Sequence, residues 1–115
     1  MPRVLVFQRD GSVAVGGEEL LEQACDPSIA GWIDFEGERE AAEKLLGDLK
    51  FHPLAIEDTF TQLHQPRVEE YDGDLFVIVR GIDFNDADPA AHLETLKLAA
   101  FLRQNLLVTM HRAPL

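Results

Sequence analysis

Two adjacent acidic residues, Glu57 and Asp58, are the side chains in this sequence best suited to bind a cation. They fall in a segment that begins at Pro53, and in which apolar residues recur at helical spacing. Neighbouring helical positions point about 100° apart, so the two carboxylates face different directions. Mg²⁺ takes one or two carboxylates and keeps several waters. The pair therefore predicts a weak Mg²⁺ site, with a solvated helix face or a local salt bridge as the alternative.

Histidines offer a second metal hypothesis. A zinc site formed by His52, Glu57 and His64 is conceivable, although none of the four histidines stands in an H-x-x-x-H or H-E-x-x-H arrangement. A simpler interpretation is that His52, directly before Pro53, makes local hydrogen bonds at the start of a helix.

Nucleophilic catalysis has little support in this sequence. There is no G-x-S-x-G motif, and the glycines near the N-terminus are not followed by the Lys-Ser/Thr of a phosphate-binding loop. Cys25 is the single cysteine, which rules out an internal disulfide and a zinc ribbon. A lone cysteine is more often a small buried apolar residue than a nucleophile. No motif in the sequence points to catalysis, and we expect a protein that is not an enzyme.

Length and charge restrict the classes further. The 115 residues suit a single domain spanning residues 1–115, and 46% of them are hydrophobic, enough to build a core. The net charge of −11 argues against binding to nucleic acid and to an anionic membrane surface. No run of about 18 apolar residues is present, so we expect no membrane span.

The hydrophobic pattern predicts the element order β-β-α-β-α-α-β-β-β-β. Residues 75–82 are rich in Val and Ile, which predicts a central strand buried on both faces. Early helices alternating with strands, followed by late hairpins, indicate an α/β domain with a mixed β-sheet and helices packed on it. The predicted strands cover residues 3–8, 12–15, 31–35, 67–71, 75–82, 95–102 and 106–110, and the helices cover 18–24, 38–49 and a segment from Pro53 to before Pro66.

Two strings carry a family resemblance. Residues 52–58 read HPLAIED and residues 65–72 read QPRVEEYD. Together they resemble the cytoplasmic N-terminal domain of CorA-type divalent-cation transporters. Further matches occur in the same order, at Trp32-Ile33-Asp34, at residues 75–79 (LFVIV) and at residues 105–109 (NLLVT), so the resemblance spans residues 32–109.

The resemblance implies a CorA soluble-domain-like α/β/α domain on the cytoplasmic side of the cell membrane. In that family a stalk helix and two membrane helices with a Gly-Met-Asn motif follow, and this chain contains none of them. The family assembles as a homo-oligomer, a pentamer, and binds Mg²⁺ between protomers, where metal loss favours opening. Asp58 matches one ligand, with Glu57 beside it. Mg²⁺ is the expected cation, Zn²⁺ and Co²⁺ are alternatives, and binding to the domain alone would be weak.

The sequence is also compatible with a different class of function. The chain could be a free-standing metal-dependent enzyme or a metal-buffering protein that uses Glu57, Asp58 and nearby histidines. The two hypotheses differ in whether a long helix and two apolar segments accompany this domain.

Overall fold

A computed structural model describes residues 2–60, 66–83 and 94–112. A short 3-10 turn at Glu18–Leu20 leads directly into the first helix. The strands are β1 (Arg3–Phe7), β2 (Val13–Gly16), β3 (Ala30–Glu36), β4 (Arg67–Tyr71), β5 (Asp74–Asp83), β6 (Glu94–Arg103) and β7 (Leu106–His111), and the helices are α1 (Leu21–Ala24), α2 (Arg39–Asp48) and α3 (Pro53–Phe60).

The predicted elements are present in the predicted order, with ends that differ by at most three residues where the structure describes them. Turn chemistry explains several boundaries. Asp72 and Gly73 join β4 to β5 with φ values of 49° and 90°, the left-handed pair that an Asp-Gly hairpin turn requires. Between β6 and β7, Asn105 takes the left-handed conformation with φ 62°, which asparagine tolerates better than most residues.

The sheet has seven strands in the order β2-β1-β3-β7-β6-β5-β4. Two antiparallel sets make it up: β2, β1 and β3 on one side, and β7, β6, β5 and β4 on the other. The sets meet where β3 runs parallel to β7, with Ile33 opposite Val108. The sheet is therefore mixed, as the sequence predicted.

One face of the sheet carries the core. Side chains from five strands and all three helices belong to one buried hydrophobic cluster, in which Phe35, Phe76 and Phe101 are the largest fully buried members. Leu46 of α2 and Ala55 of α3 are buried in the same cluster. The helices of the described residues thus cover a single face, which we call the helix face.

The opposite face, here called the open face, exposes apolar side chains. Because residues two apart on a strand share a face, the strand pairing places all of them on one side. These residues fall into two groups, one on β1, β2 and β3 and the other on β4, β5 and β6. The exposed large apolar residues of the open face are Phe7, Val13, Val15, Trp32, Val68, Leu75, Val79 and Leu102.

The prediction for residues 75–82 was wrong in two respects. β5 is next to the edge of the sheet rather than central. Phe76 and Ile78 are buried on the helix face, but Leu75 and Val79 are 37% and 48% exposed on the open face. A Val/Ile-rich run fits a strand with two apolar faces, and the sequence pattern does not tell which of the two the helices cover.

None of the described helices is both long and apolar enough to cross a bilayer.

Candidate functional site

Helix α3, which carries Glu57 and Asp58, begins with local chemistry supplied by His52. Pro53 takes the first helical position, where its missing N–H costs nothing. The Leu54 N–H donates to His52 Nδ1 at 3.1 Å, which confirms the predicted local hydrogen bond. The His52 ring stacks on Tyr71 of β4, with centroids 4.3 Å apart. These contacts fix the N-terminal end of α3 against the edge strand of the sheet.

Asp58 turns toward the sheet. Its side chain is 19% exposed, and Arg67 at the start of β4 donates a hydrogen bond from Nη2 to Oδ2 of Asp58. Arg67 Nη1 is also 3.3 Å from Oε1 of Glu69. Glu57, one position earlier on α3, is exposed. The two acids therefore point in different directions, as the helical spacing predicts, and the local salt bridge is present at Asp58.

A second cation lies at the end of α3. Lys97 of β6 donates to the carbonyl oxygens of Asp58 at 2.6 Å and Thr59 at 3.0 Å. Burial, with a contribution from Arg80, lowers the pKa of Lys97 to about 8 although the Asp58 carboxylate acts to raise it.

Tyr71 and Glu69 of β4 form a hydrogen-bonded pair near Asp58. The Tyr71 hydroxyl donates to Oε2 of Glu69, and this bond raises the pKa of Tyr71. Arg67 is thus enclosed between Asp58 on α3 and Glu69 on its own strand. The arrangement links α3 to β4 through side chains on the helix face.

The donor set suits Mg²⁺ in kind, because a carboxylate oxygen is the ligand that Mg²⁺ takes from proteins. The number of ligands is too small for a complete site, because within residues 2–60, 66–83 and 94–112 no three His, Cys, Asp or Glu side chains are grouped to hold a metal ion. Asp58 would hold the ion, with Glu57 nearby, and other ligands would have to come from elsewhere. In the alternative zinc site, His52 uses Nδ1 for the helix start, and His64 lies outside the described residues.

A polar cluster on the open face was not predicted. The Trp32 indole N–H donates to Thr109 Oγ1 at 2.9 Å, and the Thr109 hydroxyl donates to Asp34 Oδ1 at 2.6 Å. His111 Nε2 is 2.9 Å from Asp34 Oδ2, and the His111 side chain is only 6% exposed. The parallel β3–β7 pair brings these residues together. The one sequence signal for this cluster was that Trp32 and Asp34 lie in the first string of the family resemblance, residues 32–34, and Thr109 lies in the last, residues 105–109.

Cys25 is half-buried beside the core. Burial raises the pKa of its thiol, which disfavours the nucleophilic thiolate.

Comparison with solved structures identifies the fold. The cytoplasmic domain of ZntB from Vibrio parahaemolyticus matches with a TM-score of 0.75 and 16% identity, over 98% of this chain and 44% of that one. The soluble domain of CorA from Methanocaldococcus jannaschii matches with a TM-score of 0.66 and 19% identity, over 96% of this chain and 41% of that one. The protein thus has the fold of the soluble domains of these proteins.

Sequence comparison identifies the family. The model for the CorA-like Mg²⁺ transporter protein matches residues 29–115. YfjQ of Bacillus subtilis strain 168, which is assigned as a metal ion transporter, is 34% identical over 93 residues, or 79% of this chain. The protein belongs to the CorA-like Mg²⁺ transporter family, which confirms the resemblance. The chain spans 27% of the length of YfjQ.

Proposed function

We propose that this chain is the cytoplasmic regulatory domain of a divalent-cation transporter, and that it senses cytosolic Mg²⁺ to gate ion flow. The observation that carries the proposal is the family match over residues 29–115, which includes α3 with both of its acids. The 34% identity to a protein assigned as a metal ion transporter supports the same conclusion.

Asp58 is the proposed Mg²⁺ ligand, with Glu57 in the surrounding shell. One carboxylate gives Mg²⁺ little reason to shed water, so a single chain binds the ion weakly, and tight binding needs ligands from a second protomer of a homo-oligomer, a pentamer in the family arrangement. The net charge of −11 attracts divalent cations, and a metal between protomers offsets their mutual repulsion. Mg²⁺ then shifts the assembly toward its closed state by binding that state more tightly.

Ion flux through the complete transporter tests this function. Flux is measured across a range of cytosolic Mg²⁺ for the wild type, for Asp58→Asn and for Asp48→Asn. Asp48 is an exposed acid at the end of α2, so its variant makes the same charge change away from α3. We expect Mg²⁺ to close the wild type and Asp48→Asn alike, whereas Asp58→Asn needs a higher concentration.

Identical Mg²⁺ responses of all three proteins would contradict the role of Asp58. Absence of any divalent-cation flux would contradict the transporter assignment itself. Repeating the series with Zn²⁺ and Co²⁺ distinguishes the alternative cations. Because a carboxylate oxygen is a hard ligand, we expect Mg²⁺ to bind at Asp58 and to close the transporter.

A further inference from the structure

The carboxylate proposed as a metal ligand already has a cation of its own. The Asp58 side chain is 19% exposed and the Arg67 side chain 30%, and the Arg67 guanidinium donates directly to Oδ2 of Asp58. Arg67 stands nine residues later, at the first position of β4. A charge-assisted bond of this kind is stronger than a neutral hydrogen bond, so it competes with other uses of the same oxygen.

Arg67 is itself only partly satisfied. Its Nε is buried and has no hydrogen-bond partner within the described part of the chain. Its guanidinium lies 5.9 Å from the centroid of the Phe76 ring, at the outer limit of a cation–π contact. The second carboxylate near it, Glu69, also accepts from the Tyr71 hydroxyl. Leaving Asp58 would let the buried Nε reach solvent, and its hydration would offset part of the cost of breaking the ion pair.

A divalent cation and a guanidinium repel each other at one carboxylate, because like charges a few ångströms apart are unfavourable in a half-buried site. Lys97 adds a further positive charge, since its Nζ is 2.6 Å from the carbonyl oxygen of Asp58. Two cations of the chain itself thus occupy the surroundings that a metal at Asp58 would enter.

We propose that Arg67 is an internal competitor of the metal: a divalent cation reaches Asp58 only by displacing the Arg67 guanidinium. The inference rests on the proposed function, because it takes Asp58 as the ligand. Arg67 then sets the cation concentration to which the domain responds, and Asp58 alternates between an ion pair within the chain and a bond to metal.

The same exchange changes how α3 is attached. His52 stacked on Tyr71 fixes one end of the helix to β4, and the Asp58–Arg67 pair fixes the other. β4 is the last strand of the sheet and pairs only with β5 among the described strands. Metal binding removes the Asp58–Arg67 attachment to β4 and leaves the His52–Tyr71 stack and the Lys97 bonds to β6, so it alters the contact between α3 and the edge of the sheet.

Titration of the 115-residue chain with MgCl₂, followed by ¹H–¹⁵N NMR, tests the competition. The variants are Arg67→Gln, Asp58→Asn, the double variant, and Lys44→Gln as a control that removes one positive charge from the exposed side of α2. We expect Arg67→Gln to bind Mg²⁺ about two- to fivefold more tightly, the range for a modest ion pair. Lys44→Gln should bind like the wild type, and the double variant should lose the gain.

The outcomes separate this inference from the proposed function. If Asp58→Asn weakens binding but Arg67→Gln matches the wild type, Asp58 is a ligand and Arg67 is not its competitor. If Asp58→Asn binds as the wild type does, the metal site itself fails. If the double variant keeps the gain of Arg67→Gln, the gain reflects net charge, which overturns the inference.

A measurement on the wild type avoids any folding defect of the variants. The Nε–H signal of Arg67 should shift as Mg²⁺ is added, because the guanidinium changes partners. The corresponding signal of Arg103, which donates to Asp74 at 2.8 Å, should stay in place. An Arg67 signal that does not move while α3 amides report Mg²⁺ binding would contradict displacement.

Discussion

Arg103 and Asp74 form a two-pronged ion pair, with Nε to Oδ1 and Nη2 to Oδ2 both at 2.8 Å. The same guanidinium donates from Nη1 to the Leu49 carbonyl at 2.6 Å and lies 4.0 Å from the centroid of the Phe51 ring. Asp74 raises the already high pKa of Arg103, which keeps the group charged. One side chain of β6 thus joins β5, the end of α2 and the aromatic core.

Replacing this arginine should lower stability more than replacing an exposed one. We expect Arg103→Met to lower the free energy of unfolding by about 2 kcal/mol, because Asp74 and the Leu49 carbonyl lose a charged donor. Arg39→Met is the control: Arg39 pairs with Glu43, and these side chains are 62% and 42% exposed. The free energy of unfolding of Arg39→Met should fall by less than about 1 kcal/mol. Urea denaturation measures the free energy of unfolding of both variants, and equal losses would contradict the larger stabilising role of Arg103.

Two glycines should respond in opposite ways to alanine. A Cβ on Gly31 of β3 would come within 2.6 Å of the Ala24 carbonyl oxygen, whereas a Cβ on Gly47 of α2 meets nothing within 4 Å. We expect Gly31→Ala to cost about 1–3 kcal/mol through overpacking. Gly47→Ala should stabilise by about 0.5–1 kcal/mol, because glycine is a poor helix former. Thermal unfolding of both variants checks the signs, and a neutral Gly31→Ala would show that α1 can move away.

Lys97 should make stability rise with pH in the alkaline range. Its pKa is about 8 in the folded protein and 10.5 ordinarily, so between these values the unfolded chain holds a proton that the folded chain has released. Stability therefore increases from pH 8 to 10.5 and the contribution is constant below pH 8. Lys97→Met should lack this rise. Urea denaturation at several pH values measures it, and parallel curves for the two proteins would contradict it.

Valines on the two sheet faces should tolerate threonine differently. Val6 lies on the helix face and is fully buried, whereas Val15 lies on the open face and is 65% exposed. Val6→Thr should cost about 1–3 kcal/mol, because it buries a hydroxyl among apolar neighbours. Val15→Thr should stay within about 0.5 kcal/mol. Equal costs in thermal unfolding would mean that the open face is covered in solution.

Local patterns predicted most of the fold. The strand at residues 67–71 has the predicted bounds, because Pro66 and the Asp72-Gly73 turn limit it on both sides. α2 was predicted from the hydrophobic pattern, and Ala42 and Leu46, one helical turn apart, are buried. Such signals depend on neighbours in sequence, which is why they identify elements better than their arrangement.

Long-range relations could not be predicted in the same way. The Asp34–His111 contact joins residues 77 positions apart, and no pattern around either residue points to the other. Asp58 was predicted as a metal ligand from its sequence neighbours. Its ion pair with Arg67 could not be predicted, because the pair forms only through the way α3 packs against β4. The open face escaped prediction too, since alternation along a strand shows two faces without telling which one the helices cover.

The parallel β3–β7 pair has a kinetic consequence. Among the antiparallel pairs, the partners farthest apart in sequence are Arg3 and Asp34, whereas Asp34 and Thr109 of the parallel pair meet across 75 positions. Closing a loop of that length costs about 2–3 kcal/mol more entropy than closing a hairpin turn. We therefore expect the two sets to fold early and the β3–β7 pair to join them late, so that the rate of this one encounter limits how fast the native sheet forms.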